Sequence, residues 1–215
     1  MQAKVSNSQR AYDLILDTIF KGELKAGAAV TEEWVGRHLN MSRTPVREAL
    51  IRLQADGIIT ETNNRTTVTT ITSVDIKEIF ELRLLLEPYA ASLCIGLINK
   101  DALLEIRKHT QAFMEKPDNN YLRSPYDIHR LILESTRNRR LISISKNLQA
   151  QIRRIIVIGW RIPGRSKRSL EEHMLLTDAI LEGDRGMAET YMRQHLRTFM
   201  NDMLDPGNYH LIFRE

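Results

Sequence analysis

The chain has 215 residues, 42% of them hydrophobic, which is enough for two modest domains with a core each. Its 31 Lys+Arg against 27 Asp+Glu leave a net charge of +4, which admits nucleic acid as a partner without establishing it. The single Cys94 excludes an intrachain disulfide; a short polar start and the lack of any apolar run long enough for a bilayer make a cytoplasmic protein the expectation.

Residues 1–72 hold 9 Lys+Arg and 8 Asp+Glu, so DNA affinity has to come from where charges sit, not from bulk charge. A first helix is predicted over 8–21, where Ala11, Leu14, Ile15, Thr18 and Ile19 form one stripe and Gly22 ends it. Two short helices meeting at a tight turn follow. Thr31 can cap the first, Glu32 and Glu33 complement its dipole, and the break falls at Asn40-Met41-Ser42. Ser42 can cap the second, Pro45 sits in its first turn, and Gly57 ends it. Val46, Ala49, Leu50 and Leu53 make its buried stripe and turn Arg43, Thr44, Arg47 and Arg52 outward.

Such a helix suits a major groove: arginine forks match guanine O6/N7, hydroxyls reach phosphates or bases, and the helix N-terminus favours a phosphate. A solvated αα-hairpin is the plainer alternative. Residues 58–62 and 66–71, rich in β-branched types around Asn63-Asn64, predict a hairpin wing with Arg65 at its tip. A helix-turn-helix followed at once by a wing is more specific than either part alone.

Beyond Thr72 only amphipathic helices are predicted: about 74–97, capped by Ser73 and bent at Pro88, then 100–116, 125–136, 138–160, 169–182 and 185–204, with a loop at 117–120 and a tail after Pro206-Gly207. The expected fold is mostly α, a winged helix-turn-helix over 1–72 and an all-α six-helix bundle over 73–215. Bundles build small-molecule and metal sites from side chains facing the axis. His129 aligns with Ile132 and Leu133, His173 with Leu176 and Ile180, and His195 with Met192 and Phe199, each on the inward stripe of a different helix. A lone histidine there is usually a hydrogen-bonded core residue; three from three helices suit Zn, Ni or a similar divalent ion.

The first half resembles the GntR-type regulators, whose DNA-binding half is a winged helix. The matching residues are Gly22-Glu23-Leu24-Lys25-Ala26-Gly27, Thr31-Glu32, the run Ser42-Arg43-Thr44-Pro45-Val46-Arg47-Glu48-Ala49-Leu50, and Leu53 to Gly57. Ala26 stands where the family has Pro, and the wing tip has Asn64, Arg65 and Thr66 where it has Gly. The resemblance implies that Arg43, Thr44 and Arg47 read bases and phosphates, supported by Ser42 and Arg65. The second half resembles the helical effector domain of the FadR and VanR-like branch, through Phe80-Glu81-Leu82-Arg83-Leu84-Leu85-Leu86-Glu87-Pro88, His129, Glu172-His173, Ala179 to Asp184, and His195-Leu196. It implies a divalent metal on His129, His173 and His195 beneath a small carboxylate. In relatives an aspartate one turn before the first histidine completes the set; here that position is Pro125, and Asp127 would lie about 200° around a helix from His129.

Arg83, on a helix whose apolar positions Ile79, Leu82, Leu86 and Tyr89 are expected to face the bundle, is the candidate anchor for an anionic effector; a surface ion pair with Glu87 is the alternative. The basic residues from Arg137 to Arg168 read most simply as solvated surface. The expected function is a transcriptional regulator, repressor more than activator, that binds an inverted-repeat DNA operator as a homodimer and responds to a small anion or metal. A helical metalloenzyme with a DNA-binding appendage is the rival, and a DNA-bound protein with purely structural histidines the third reading.

Overall fold

The computed structural model describes residues 6–115 and 127–213. They divide into two compact units, one up to Ile71 and one from Thr72 onward, with Gln149–Arg154 counted with the first.

The first unit begins with α1 (Asn7–Phe20), which Ser6 caps by accepting the Gln9 N–H. α1 buries Ala11, Tyr12, Ile15, Leu16 and Ile19, while Leu14, expected inside, lies partly exposed. Thr31 accepts the Trp34 N–H to start α2 (Glu32–Leu39), which ends on Asn40 in the left-handed region at φ 49°. α3 (Arg43–Ala55) follows and buries Val46, Ala49 and Leu53. The hairpin is β1 (Ile59–Thr62) paired antiparallel with β2 (Arg65–Val68), Ile59 opposite Val68 and Thr62 opposite Arg65. Asn63 and Asn64 carry φ of 52° and 58°, the left-handed pair that a two-residue turn of this hand requires and that asparagine tolerates. A third edge was not foreseen: Gly27 donates to Val68 and Val30 to Thr66, so the segment before α2 lies along β2. These pieces close one core around Val35, Val46, Leu53, Ile58 and Val68.

In the second unit α4 (Ser73–Cys94) starts one residue earlier than predicted. Thr72 is its cap: its hydroxyl accepts the Asp75 N–H and Asp75 accepts the Thr72 N–H in return. Pro88 lies inside an uninterrupted helix. A proline there deprives the carbonyl four residues back of its donor; that carbonyl, Leu84 O, accepts instead from Arg193 Nη1 at 3.4 Å. Arg185 likewise donates to Ser92 O and Ile95 O at the open end of α4.

The remaining helices are α5 (Lys100–Glu115), α6 (Ile128–Ser135), α7 (Arg139–Gly159), α8 (Arg165–Glu182) and α9 (Arg185–Leu204). α8 begins a turn earlier than expected, after Gly164 at φ 75°. The loop at 117–120 and Pro125 lie outside the described residues. The expected free tail is instead a 3-10 turn, Pro206–Asn208, and α10 (Tyr209–Ile212), whose Ile212 is buried. α4 packs on α9 and α6, and α9 on α8, which surrounds one polar centre with four helices.

Candidate functional site

The α3 face follows from its register. Ser42 precedes the helix with no side-chain cap bond, so its hydroxyl and the first backbone N–H groups of α3 stay open to an acceptor such as a phosphate. Arg43, Thr44 and Arg47 project from the same end into solvent, and Arg47 Nε stands 3.8 Å from Glu32 Oε1, beyond a hydrogen bond. Ile51, also exposed, extends this face with an apolar side chain. Arg65 opens β2 beside the turn and is exposed.

Arg52 is exposed as expected but stands apart from Arg43, Thr44 and Arg47. Nine residues beyond Arg43, it emerges about 180° around the helix. Its guanidinium lies 4.1 Å over the Tyr12 ring, donates to Gln9 Oε1 and stands 4.0 Å from Asp56, whose Oδ2 accepts the Tyr12 hydroxyl at 2.6 Å. It therefore ties α3 to α1.

His129 from α6, His173 from α8 and His195 from α9 come together, with ligand-capable atoms all within 4.8 Å of one another. His129 Nε2 and His173 Nε2 are 3.1 Å apart. Two nitrogens at bond length from one tetrahedral zinc would be about 3.3 Å apart, so this pair is spaced as two ligands of one ion, with the His195 nitrogen within 4.8 Å of both. Behind two of the rings stand carboxylates. His129 Nδ1 lies 2.7 Å from Glu87 Oε2, and His195 Nδ1 2.7 Å from Glu172 Oε2. A carboxylate accepts only, so both rings carry their proton on Nδ1 and keep an Nε2 lone pair free.

Each carboxylate is held by a buried arginine. Arg83, 4% exposed, donates Nε to Glu87 Oε1 at 2.7 Å and Nη2 to Oε2 at 3.2 Å. Arg165, fully buried, donates to Glu172, Ser169 and Asp202. Between them Phe80 and Phe199 stack at 5.4 Å, with Arg83 over the first ring and Arg165 over the second. Burial alone would raise the Glu87 pKa, yet Arg83 and His129 outweigh it and hold the carboxyl well below the usual range. Burial raises Glu172, with Arg165 opposing. Burial first, then neighbouring cationic groups, pushes His173 and His195 well below the ordinary histidine value, which leaves these rings neutral, as a metal ligand must be. His173 Nδ1 alone among the described histidine nitrogens of this centre is buried without a partner.

Asp127 stays out of the histidine set, as expected, while the face of α4 differs from the expectation. Asp127 is the N-cap of α6, its carboxylate accepting the His129 and Arg130 N–H groups, so it stands outside the histidine set for a capping reason. The inward stripe of α4 is Ile76, Ile79, Phe80, Arg83, Glu87, Ala90, Ala91 and Cys94; Leu82 and Tyr89, expected inside, are exposed, and Arg83 pairs with Glu87 in the interior instead of on the surface. Arg165, expected on solvated surface, is fully buried, and neither Glu172 nor Ser169 was given a role from sequence. Their signal was spacing: 165, 169, 172 and 176 share one face of α8, a polar continuation of the stripe that ends in Leu176, Ala179 and Ile180.

The family described as "FCD domain" matches residues 78–198, and that described as "Bacterial regulatory proteins, gntR family" matches residues 7–68. The uncharacterized HTH-type transcriptional regulator YdhC of Bacillus subtilis is 24% identical over 191 residues, 86% of this chain and 85% of that protein. The gluconate operon transcriptional repressor of the same organism is 26% identical over 215 residues, covering 94% and 86%. Among solved structures, Escherichia coli McbR/YncC superposes with a TM-score of 0.72 at 22% identity, covering 91% of this chain and 95% of that one, a likeness of fold. These relatives and domains are transcriptional regulators, not enzymes, and no helix among the described residues is long and apolar enough to cross a membrane. Winged helix, helical bundle and the two matched stretches together place the chain in the GntR family of DNA-binding transcriptional regulators, in the group that carries an FCD domain.

Proposed function

We propose that the protein is a homodimeric repressor whose operator affinity is set by a divalent metal and a small carboxylate bound in the helical bundle. The observation that carries the effector half is the convergence of three imidazoles from three helices with two proton positions fixed by carboxylates. His129, His173 and His195 would hold the ion, and a bound ion supplies a Lewis-acidic position at which an anion can be captured. Arg83 serves the anion through Nη1, the corner of its fork not used by Glu87. Arg43, Thr44 and Arg47 read the groove with Ser42 on a phosphate, and Arg65 serves the wing.

Two copies are needed because one such helix contacts too few base pairs for operator-grade specificity. The surface best suited to a second copy is the outer face of α4, where Leu82, Leu85 and Tyr89 lie exposed at helical spacing, Leu85 at 73%. The gluconate operon repressor among the relatives supports repression as the sign of control and a sugar acid as one effector to try.

An operator selected from random duplex DNA, labelled and titrated by fluorescence anisotropy, tests the reading. Zinc together with one member of a panel of acetate, citrate and gluconate is expected to change operator affinity by about 5-fold or more. An affinity that stays constant across the panel with zinc-loaded protein would overturn the coupling, and the absence of any preferred duplex would overturn operator binding.

A further inference from the structure

The two carboxylates behind the histidines are the feature that neither the family match nor the relatives account for. Resting on the metal reading above, we propose that Glu87 and Glu172 are positioning residues of the metal centre: each fixes one histidine in the tautomer that presents Nε2 to the ion, and each is itself held by a buried arginine.

Hydrogen-bond donors and acceptors set the arrangement. Arg83 offers Glu87 two N–H groups, through Nε and Nη2, and His129 offers a third through Nδ1. The Glu87 carboxylate accepts all three on its two oxygens, which an amide of that shape, with one oxygen, cannot do. At Glu172 there are two donors, one N–H of Arg165 and Nδ1 of His195, and both meet the same oxygen, Oε2. The ring proton is thereby confined to Nδ1 and the Nε2 lone pair faces the other histidines.

His173 has no such support, since its Nδ1 is buried and unpartnered. The centre is therefore built as two ligands anchored by carboxylates and one, His173, whose ring meets His129 through Nε2 but has no anchor on Nδ1.

Glu87→Gln is the informative change. The amide has one oxygen, and the Arg83 fork claims it, so the NH₂ group turns toward His129. Nδ1 must then accept, the ring proton moves to Nε2, and the lone pair that would meet the ion is lost. At Glu172 an amide oxygen in the place of Oε2 would still accept both donors, so the change there is Glu172→Leu, which leaves His195 Nδ1 without its acceptor. The full-length protein is stripped of metal and compared with both variants in two measurements. Zinc affinity is read by competition with a chelating indicator, and the imidazole tautomers of metal-free protein are read by nitrogen–proton correlation NMR.

Each variant is expected to bind zinc about 10–100-fold more weakly and to lose the Nδ1–H tautomer at its own histidine only. If one variant does not fold by circular dichroism, the other decides, since Glu172 is less deeply buried than Glu87. Wild-type and variant affinities within twofold, with unchanged tautomers, would overturn the positioning role while leaving the metal reading intact. A wild type that binds no zinc would remove the metal reading itself and this proposal with it.

Discussion

Arg83→Met separates what the buried ion pair does for stability from what it does for the site. Both partners are almost fully enclosed, at 4% and 5% side-chain exposure, and joined by contacts of 2.7 and 3.2 Å. An exposed pair of the same residues would contribute about 0–1 kcal/mol. Here removal of the arginine strands a buried carboxylate with only the His129 N–H for company, at a cost of about 3–5 kcal/mol. For a chain of this size that corresponds to a melting temperature lower by roughly 6–20 °C. The double variant Arg83→Met/Glu87→Leu removes both charges and restores packing. It is expected to recover to within about 2 kcal/mol of wild type, the residue being the acceptor lost by His129. Urea unfolding of metal-free protein, followed by circular dichroism, measures both. A single-variant cost below about 1 kcal/mol would refute the burial argument. A double variant as unstable as the single would show that the pair is retained for stability and not for the histidine centre.

Other expectations follow from the same structure. Arg47→Ala should weaken operator binding by about 1–3 kcal/mol and relax preference at one base position, whereas Arg52→Ala should lower stability by roughly 0.5–1 kcal/mol through its lost contact with Tyr12 and leave base preference unchanged; binding-site selection on both proteins distinguishes them. Leu85→Glu should yield a monomer in analytical ultracentrifugation and lose operator affinity, and an unaltered mass would move the dimer surface elsewhere. Arg193→Ala should cost about 1 kcal/mol by leaving Leu84 O without a donor, and much less in a Pro88→Ala background, where the helix N–H returns; equal costs in both backgrounds would show that Arg193 does not compensate the proline. The Cys94 thiol donates to Ala91 O and burial pushes its pKa up to about 11, so little thiolate exists at pH 8 and alkylation should proceed only in denaturant.

What the sequence made legible is mostly what local chemistry decides. Asn63-Asn64 had to be a turn because both positions need left-handed backbone, and α9 spans Arg185–Leu204 as predicted because Asp184 caps it and Asp205 leaves it in extended backbone. The three histidines were found because each interrupts an apolar stripe. The inward face of α4 was not, because this helix is apolar nearly all round: 76, 79, 80 and 83 fit a buried stripe as well as 79, 82, 86 and 89 do, and only packing against α9 selects the first. The buried arginines were missed for a related reason. A sequence rule assigns Arg and Glu to solvent unless a partner set is known, and the partners of Arg165 come from α8 and α9, up to 37 positions away.

The register of α4 gives that helix two roles at once. Arg83 and Glu87 lie on its inner face against His129, while Leu85, about 200° around from Arg83, lies on the outer face where the second copy is proposed to sit. Only residues 69–71 separate β2 of the wing from the Thr72 cap of this helix. A ligand can bias DNA binding only by the difference in its affinity for two arrangements of the protein. The anchored pairs on α4 and α8 are poor candidates for the part that differs, since breaking either leaves a buried charge alone. His173, with its unpartnered Nδ1, has the least to lose by moving, so the change that a bound ion and anion bring should begin on α8 at that ring and reach α4 through His129. Histidine-selective NMR during zinc titration reads this directly: the His173 ring should show the largest displacement, and a larger one at His195 would place the responsive element on α9.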